Sequence, residues 1–536
     1  MKRFAQAVPL LSDYLVESAA RLPDKIALVC DDQRYSYAEL CARSNALAHA
    51  LVRRGVARGD RVIVFGDNTV ETVVAFFAVL KAGAVVSVVN PSTKADKLAY
   101  MLRDCRPTGL ITSASLERVF AGPAADSPHL VTVVVSGPIS SESLAGLPGG
   151  VAWEQAVAGE PRDSAPERRA IDIDLAAIIY TSGSTGDPKG VMQTHRSMRA
   201  AAASITGYLE NREDDVILNL LPLSFDYGLY QLIMAFRMGA RLVLERSFAY
   251  PARILEAIVR ERVTGFPGVP TIFALMNEMK TLADHDFSSV RYVSNTAAAL
   301  PQKHIDMLCR VFPAARVYSM YGLTECKRVS YLPPADLVRK RGSVGLAIPN
   351  TEIWIADQNG DRAPPGEIGQ IVVRGATVMR GYWEKPEATA EKLKPGPLPG
   401  EFVLYTGDHG RMDQDGYLYF IGRMDDIIKS RGEKVAPREV ENALYDIHGV
   451  KEAAVVGVAD AILGEAVQAF VVLEQGVNLS ERDIQRECQQ RLEGFMVPKF
   501  VVLVAELPKT TSGKIKKTGL GQGGARSDPS ETNPSS

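Results

Sequence analysis

The sequence predicts an α/β protein with a large N-terminal domain of doubly wound mixed sheets, a β subdomain, and a small α+β C-terminal domain. Three observations carry this. From residue 60 to residue 325, short apolar runs alternate with helically spaced stripes, the pattern of strands joined by crossover helices. From about 340 to 424, short β segments are separated by Gly/Pro turns such as Pro364-Pro365-Gly366 and Asp415-Gly416. From 425 the character changes to α+β. At 536 residues the chain exceeds one ordinary core. The expected domains are 1–424, with the β subdomain at about 340–424, and 425–518. A tail at 519–536, with almost no apolar content, is expected to be disordered.

In chain order, Leu10, Leu11, Tyr14, Leu15 and Ala19 form a helical stripe. Segments 26–29 and 35–37 flank the turn Asp31-Asp32-Gln33, and 38–53 reads as helix. Strands are expected at 61–66, 84–89 and 109–112, with helices at 69–81 and 94–103 between them. Residues 137–170 read as a loop-rich approach to the apolar strand Leu175 to Tyr180. Further on, helices are expected at 197–208, 230–238 and 252–261, and strands at 215–220, 241–244 and 264–266. Two later strands end in distinctive chemistry: Tyr292 to Leu300 in very small residues, and Val317 to Glu325 in a glycine, a hydroxyl and a carboxylate. The C-terminal pieces are helices at 437–445 and 480–492 and strands at 453–458, 466–473 and 500–504. No internal repeat is visible.

Composition excludes several classes. With 61 basic and 63 acidic residues the net charge is −2, so no global field favours nucleic acid or an anionic membrane. The six cysteines are scattered without a C-x-x-C pair, which suits a reducing compartment and argues against a disulfide framework or a zinc site. The histidines show no metal-ligand spacing. The apolar start at Phe4 to Leu11 is interrupted by Asp13 and Glu17, and nothing approaches a run of about 18 apolar residues. A cytoplasmic protein with no membrane span is expected.

The chemistry begins after Tyr180. Thr181-Ser182-Gly183-Ser184-Thr185-Gly186-Asp187-Pro188-Lys189 is a loop of small hydroxyl and glycine residues ending in a lysine. Glycines let backbone N–H groups turn toward an anion, hydroxyls add compact donors, and Lys189 adds a mobile charge suited to phosphate. The spacing is G-x-x-G-x-x-K, so this is not a P-loop.

Four further clusters follow: Tyr321-Gly322-Leu323-Thr324-Glu325, Tyr405-Thr406-Gly407-Asp408, Gly422-Arg423-Met424-Asp425-Asp426-Ile427-Ile428-Lys429, and Pro508-Lys509-Thr510-Thr511-Ser512-Gly513-Lys514-Ile515. In this order, with the first loop, they resemble the motifs of the AMP-forming adenylating superfamily: acyl-CoA synthetases, adenylation domains of nonribosomal peptide synthetases, and luciferases. The resemblance spans roughly residues 10–518. It implies an ATP-dependent enzyme that activates a carboxylic acid as an acyl-adenylate, releases pyrophosphate, and passes the acyl group to a thiol.

The resemblance assigns roles. Thr181 to Gly186 with Lys189 would hold the β- and γ-phosphates. Glu325 would ligate Mg²⁺, which takes few carboxylates alongside phosphate oxygens. Thr324 would bond the α-phosphate, and Tyr321 would lie against adenine where Ala297 and Ala298 leave room. Asp408 suits a ribose diol because a carboxylate accepts two hydrogen bonds, with Arg423 as the second ribose contact. Lys514 would stabilise the α-phosphate in the transition state; taken alone it would be a solvated surface charge. Asp425 matches a hinge about which the small, mobile C-terminal domain rotates, bringing Gly432 and Lys434 to the incoming thiol. That basic loop suits the phosphates of CoA, the acidic surface of a carrier protein, or plain solvent.

Which acid and which thiol are less determined. The candidate acid pocket is Phe225, Asp226, Gly268, Val269, Asn295, Met320 and Cys326. Asp226 is the informative one, since amino-acid-activating members carry Phe-Asp here and a carboxylate on a pocket wall is costly without a cation. It points either to a substrate ammonium or to a locally satisfied carboxylate at a helix start. The stretch Ile427 to Val435 looks more like acyl-CoA synthetases, and Asn295 and Thr296 stand where glycines are commoner. The leading expectation is an acyl-CoA synthetase using ATP, Mg²⁺ and CoA. The alternative is a stand-alone enzyme loading an amino acid onto the phosphopantetheine of a carrier protein in trans.

Overall fold

The computed structural model describes residues 9–167, 170–181, 187–246, 248, 250–296, 300–423, 428–430, 433–460, 463–510, 515–517 and 519–520, without the side chains of 280, 423, 429, 433, 434 and 464. It divides into two compact units, Met1–Thr406 with Met412–Tyr419, and Gly407–Arg411 with Phe420–Ser536.

The first unit opens with the helix Asp13–Arg21 and a hairpin of β1 (Ile26–Cys30) and β2 (Gln33–Ser36). The hairpin turns at Asp31 and Asp32, at φ of 50° and 64°, the mirror-image turn whose twist matches paired strands. Five parallel strands follow: β3 (Arg61–Phe65), β4 (Val85–Val89), β5 (Gly109–Ser113), β6 (Thr132–Ser136) and β7 (Gly150–Ala152), arranged β4-β3-β5-β6-β7. The antiparallel pair β8 (Leu175–Thr181) and β9 (Lys189–Thr194) extends this sheet beyond β4. Strand β7 and the short helices Ser141–Ala145 and Trp153–Val157 correct the expectation of loop over 137–170. Gly149, at φ 55°, and the polar content mask a three-residue edge strand too short to show a period.

The second sheet repeats the winding of the first. Strands β10 (Val216–Asn219), β11 (Arg241–Leu244), β12 (Gly265–Gly268), β13 (Tyr292–Asn295) and β14 (Arg316–Tyr321) are parallel in the order β11-β10-β12-β13-β14. In both sheets the chain steps to one side of its first strand and then crosses to the other. The structure therefore contains an internal repeat where the sequence shows none, because packing requires only a recurrent apolar pattern. The hairpin β1–β2 caps the β11 edge, while β15 (Ser330–Leu332) and β16 (Leu346–Ala347) extend the β14 edge.

The crossover helices Val70–Lys81 and Asp226–Met238 occupy equivalent places in the two repeats, and almost all their residues are buried. A helix apolar around its whole circumference must be covered on every side. Phe77 and Phe236 stack at 5.3 Å, and Tyr37 meets Phe236 edge-on. Thr69 caps the first helix through the Thr72 N–H, as its hydroxyl before the apolar run suggests.

A third sheet holds β17 (Thr351–Ala356), β18 (Gly369–Gly375), β20 (Leu393–Pro395), β21 (Phe402–Met412) and β22 (Leu418–Arg423). Between β18 and β20, the short β19 (Gly381–Tyr382) leaves this sheet and pairs with β9. The second unit has β23 (Ile428–Ser430), β24 (Glu433–Val435), β25 (Val450–Asp460), β26 (Gly464–Leu473) and β27 (Phe500–Leu503), ordered β24-β23-β26-β25 with β27 parallel to β26. Its core packs Val440 and Leu444 from the helix Pro437–Tyr445, and Ile484 and Cys488 from the helix Glu481–Arg491, with Val455 and Ala469 of the sheet. Among the described residues no helix is long and apolar enough to cross a membrane. The α/β fold class expected from the sequence is the one observed.

Candidate active site

Strands β8 and β9 run antiparallel with Thr181 opposite Lys189, so the two ends of the hydroxyl-rich loop are held side by side. Ser182, Gly183, Ser184, Thr185 and Gly186 lie outside the described residues. The Lys189 ammonium stands 5.5 Å from the centre of the Tyr382 ring, a cation–π contact. Tyr382 in turn donates its hydroxyl to Glu325 Oε1 at 2.8 Å. It sits on β19 beside β9, with Tyr382 opposite Val191. One tyrosine thus joins the lysine of the first motif to the carboxylate of the second. Burial, then the Glu325 charge, hold its phenol protonated well above the ordinary range. Sequence reasoning missed it; the only signal was an aromatic pair, Tyr382-Trp383, inside a Gly-led β segment.

The segment Tyr321 to Glu325 leaves β14 and returns on β15 as a tight loop. Gly322 is required there: a Cβ would lie 2.0 Å from the Lys327 carbonyl oxygen. The Lys327 N–H closes onto the Leu323 carbonyl at 2.7 Å, and Lys327 takes a left-handed φ of 68°. This folds the lysine inward beneath its own loop. Its side chain is fully buried, with Nζ 3.2 Å from the Thr324 carbonyl oxygen, which also accepts from Gln193 Nε2 at 3.1 Å. The Met379 N–H holds the Glu325 carbonyl at 2.7 Å. Backbone on both sides of the Thr324 and Glu325 side chains is therefore fixed. Glu325 uses Oε1 for Tyr382, and a carboxylate has a second oxygen for an ion; a lone carboxylate of this kind fits Mg²⁺ carried with ATP phosphates.

The same lysine meets Asp226. Its Nζ lies 3.6 Å from Asp226 Oδ1, an ion pair too long to be a hydrogen bond, with Asp226 itself 5% exposed. Arg328 is buried next to it, its guanidinium 4.5 Å from the centre of the Tyr227 ring. Burial lowers the Lys327 pKa while Asp226, then Glu325, pull it up. The sequence leaves Asp226 between a substrate ammonium and local satisfaction, and the chain itself supplies a cation beside it. Asp226 does not cap the helix Asp226–Met238, whose N-cap is Phe225 with no side-chain cap bond.

The other predicted pocket residues lie along the carboxyl ends of β12, β13 and β14, next to the point between β10 and β12 where the second sheet changes winding direction. Gly268 and Asn295 are register partners at the carboxyl ends of β12 and β13, and Asn295 is opposite Ser319 of β14. Val269, Asn295, Met320 and Cys326 are buried, and Phe225 begins the neighbouring helix. In an open parallel sheet this crevice is where ligands bind. A Cβ at Gly268 would meet the Phe273 ring at 2.5 Å, so that ring lies directly on the backbone. Tyr208 donates to Met320 Sδ at 2.9 Å. Burial raises the Cys326 pKa well above the ordinary value, so it stays a thiol. Tyr321, at the end of β14, is also buried. Ala297 and Ala298 lie outside the described residues.

In the second unit Asp408 is buried on β21, and Arg423 ends β22, which pairs with β21. Lys434 lies on β24 opposite Lys429. Asp425, Gly432 and Lys514 lie outside the described residues. The strand ends flanking Lys514 are anchored: Lys509 and Ile515 bridge, the Lys516 N–H bonds the Pro508 carbonyl at 2.7 Å, and Lys509 pairs with Glu452 at 2.6 Å.

Residues 15–383 match the family model of the AMP-binding enzyme, and residues 439–514 that of the AMP-binding enzyme C-terminal domain. The chain belongs to the AMP-binding enzyme family. It is 32% identical to a long-chain-fatty-acid–CoA ligase of Bacillus subtilis (strain 168) over 95% of this chain and 94% of that one. It is 33% identical to a feruloyl-CoA synthase of Amycolatopsis sp over 95% and 97%. Among solved structures, the anthranilate CoA ligase AuaEII in complex with anthranoyl-AMP superposes with a TM-score of 0.87 at 28% identity, covering 95% of each chain. The chain is thus an enzyme of the AMP-forming adenylating superfamily, of the acyl-CoA ligase type.

Proposed function

We propose that this enzyme joins an acid without an ammonium group to CoA, through an acyl-adenylate made from ATP. The observation that carries the choice of acid is the buried Lys327–Asp226 pair with Arg328 beside it. Two cations and one carboxylate stand at the helix start where an amino-acid substrate would need an unmatched carboxylate. An incoming ammonium would meet Lys327 and Arg328, whose repulsion in a dry wall is costly. The relatives that act on fatty and aromatic acids with CoA support the same reading.

In this proposal the acid lies in the crevice at the ends of β12, β13 and β14. Thr181 to Gly186 and Lys189 hold the β- and γ-phosphates, Thr324 positions the α-phosphate, and Tyr321 with Ala297 and Ala298 contacts adenine. Glu325, oriented by Tyr382, would hold Mg²⁺, which when bound neutralises phosphate charge. Asp408 and Arg423 take the ribose. Lys514 stabilises the charge that develops on the α-phosphate as the acid oxygen attacks and pyrophosphate leaves. The domains are 1–424 and 425–518, hinged at Asp425, and rotation brings Gly432 and Lys434 to the thiol.

An ATP–pyrophosphate exchange panel of aliphatic, aromatic and amino acids tests the acid. Exchange with amino acids alone sinks the proposal. Adding CoA or a phosphopantetheinylated carrier protein and weighing the product decides the acceptor. Lys514→Ala should abolish most adenylate formation yet spare thioester formation from supplied acyl-adenylate; equal loss in both steps refutes the rotating-domain assignment.

A further inference from the structure

The repeated winding of the two large sheets has a consequence for ligand binding. Each sheet has one point where successive connections leave to opposite sides, and there the strand ends part into a crevice. In the second sheet it lies between β10 and β12, and Gly268 and Val269, among the residues proposed to hold the acid, stand at the carboxyl end of β12. In the first sheet it lies between β3 and β5. The equivalent carboxyl ends carry Phe65-Gly66, Thr112-Ser113 and Ser136-Gly137, and between them is a cavity of about 220 Å³.

This second crevice is built of polar groups. Thr112 lines it and is 4% exposed, and among the described residues its hydroxyl has no hydrogen-bond partner. A buried hydroxyl left unmatched costs free energy that a ligand can recover. Ser113, Ser115 and Ser136 add hydroxyls, and Asp67 and Glu71 add carboxylates at the start of the helix Val70–Lys81. Arg246 also reaches the cavity, but its guanidinium is held by both oxygens of Asp31, at 3.1 and 2.7 Å. Two carboxylates against one already paired cation disfavour an anion. Hydroxyl and carboxylate groups together match a diol, whose two O–H groups donate to a carboxylate while its oxygens accept from Ser and Thr.

We propose that the crevice between β3 and β5 is a second ligand site, which takes a neutral molecule bearing a vicinal diol. Glu71 and Asp67 accept from the diol, and Thr112 and the serines complete its hydrogen bonds. A free sugar and the ribose of a nucleoside share this chemistry. The site is separate from the acid crevice and stands whichever acid the enzyme activates.

Saturation-transfer NMR on the full chain tests this, with Mg²⁺ and a non-hydrolysable ATP analogue in excess to fill the adenylation site. The probes are ribose, glucose, myo-inositol, adenosine and inorganic phosphate. A polyol or adenosine signal that persists under the analogue, and whose affinity falls about tenfold in Glu71→Gln, supports the site. Thr112→Val, close in shape, should weaken it also. Ribose binding without adenosine points to a sugar, and the reverse to a nucleoside. Unchanged ATP–pyrophosphate exchange in both variants confirms that they fold. No diol signal, a signal unmoved by both variants, or phosphate binding in place of the diols overturns the proposal.

Discussion

Lys327→Met removes the cation from the most deeply buried ion pair next to the proposed site. The side chains are close in length, so packing is largely kept and the change is mainly electrostatic. Asp226, 5% exposed, is then left as a buried carboxylate without its cation at 3.6 Å. Breaking one side of a buried pair costs about 3–5 kcal/mol. Protonating an ordinary carboxylic acid at pH 7 costs about 4 kcal/mol, which caps the loss at a similar figure. For a unit of this size that is roughly 3–6 °C in melting temperature. The assay is thermal unfolding of four proteins: wild type, Lys327→Met, Asp226→Leu and the double variant. The double variant has no charge left to strand and should recover most of the loss. Lys327 also carries a pH signature. Its pKa is lowered in the fold, so the unfolded chain binds that proton more tightly. Stability should therefore rise with pH from the lowered value toward 10.5, and Lys327→Met should lack that slope. Additive losses in the double variant, with no coupling, would refute the ion-pair account.

Gly322→Ala places a Cβ 2.0 Å from the Lys327 carbonyl oxygen, and backbone cannot yield as a side-chain tip can. Exchange activity should fall at least about tenfold with KM for ATP raised, as Thr324 and Glu325 move; unchanged kinetics would show that the loop relaxes freely. Tyr382→Phe deletes the 2.8 Å bond to Glu325 and keeps the ring under Lys189. It should lower exchange about tenfold and raise the Mg²⁺ requirement, and an unaltered Mg²⁺ titration would remove Tyr382 from the site. His304 is buried and neutral, its pKa lowered to about 4 by burial and then by Lys303. The unfolded chain takes up a proton below about 6.5, so stability is lost as pH falls from there toward 4, by about 3 kcal/mol at the limit. His304→Phe should flatten that part of the acid unfolding curve; an identical curve would place the acid sensitivity elsewhere.

Elements with a strong local pattern were legible in the sequence. The run 61–66 gave the strand Arg61–Phe65, the run 69–81 gave the helix Val70–Lys81, and 437–445 gave Pro437–Tyr445. What escaped depends on contacts far apart in the chain. The duplicated sheet order needs pairing partners, which the sequence does not carry. Strand β7 has three residues, too few for a period. Tyr382 reaches Glu325 only because β19 leaves its neighbours to pair with β9. In the proposed site, the loop ends, Thr324, Glu325 and the acid-side strand ends are residues that the sequence names, whereas Lys327 is not. Beside Arg328, in a hairpin loop, a lysine reads as solvated surface.

Lys327 also decides how Asp226 should be understood. A carboxylate in a buried wall requires a cation. Nothing local in Ser224-Phe225-Asp226-Tyr227 supplies one, so by sequence alone a substrate ammonium is one of two partners open to Asp226. The partner lies 101 residues later in sequence, and a left-handed residue after Gly322-Leu323-Thr324-Glu325 folds it inward. The pair then has two ends of use to the proposed reaction. Asp226 starts the helix that borders the acid crevice, and the Lys327 ammonium holds the Thr324 carbonyl. A shift of that helix on binding the acid would be felt at Thr324 through two polar contacts rather than through a long path of packed side chains. If so, Asp226→Asn should raise KM for ATP as well as for the acid, whereas a carboxylate that served only to read the acid would leave KM for ATP alone.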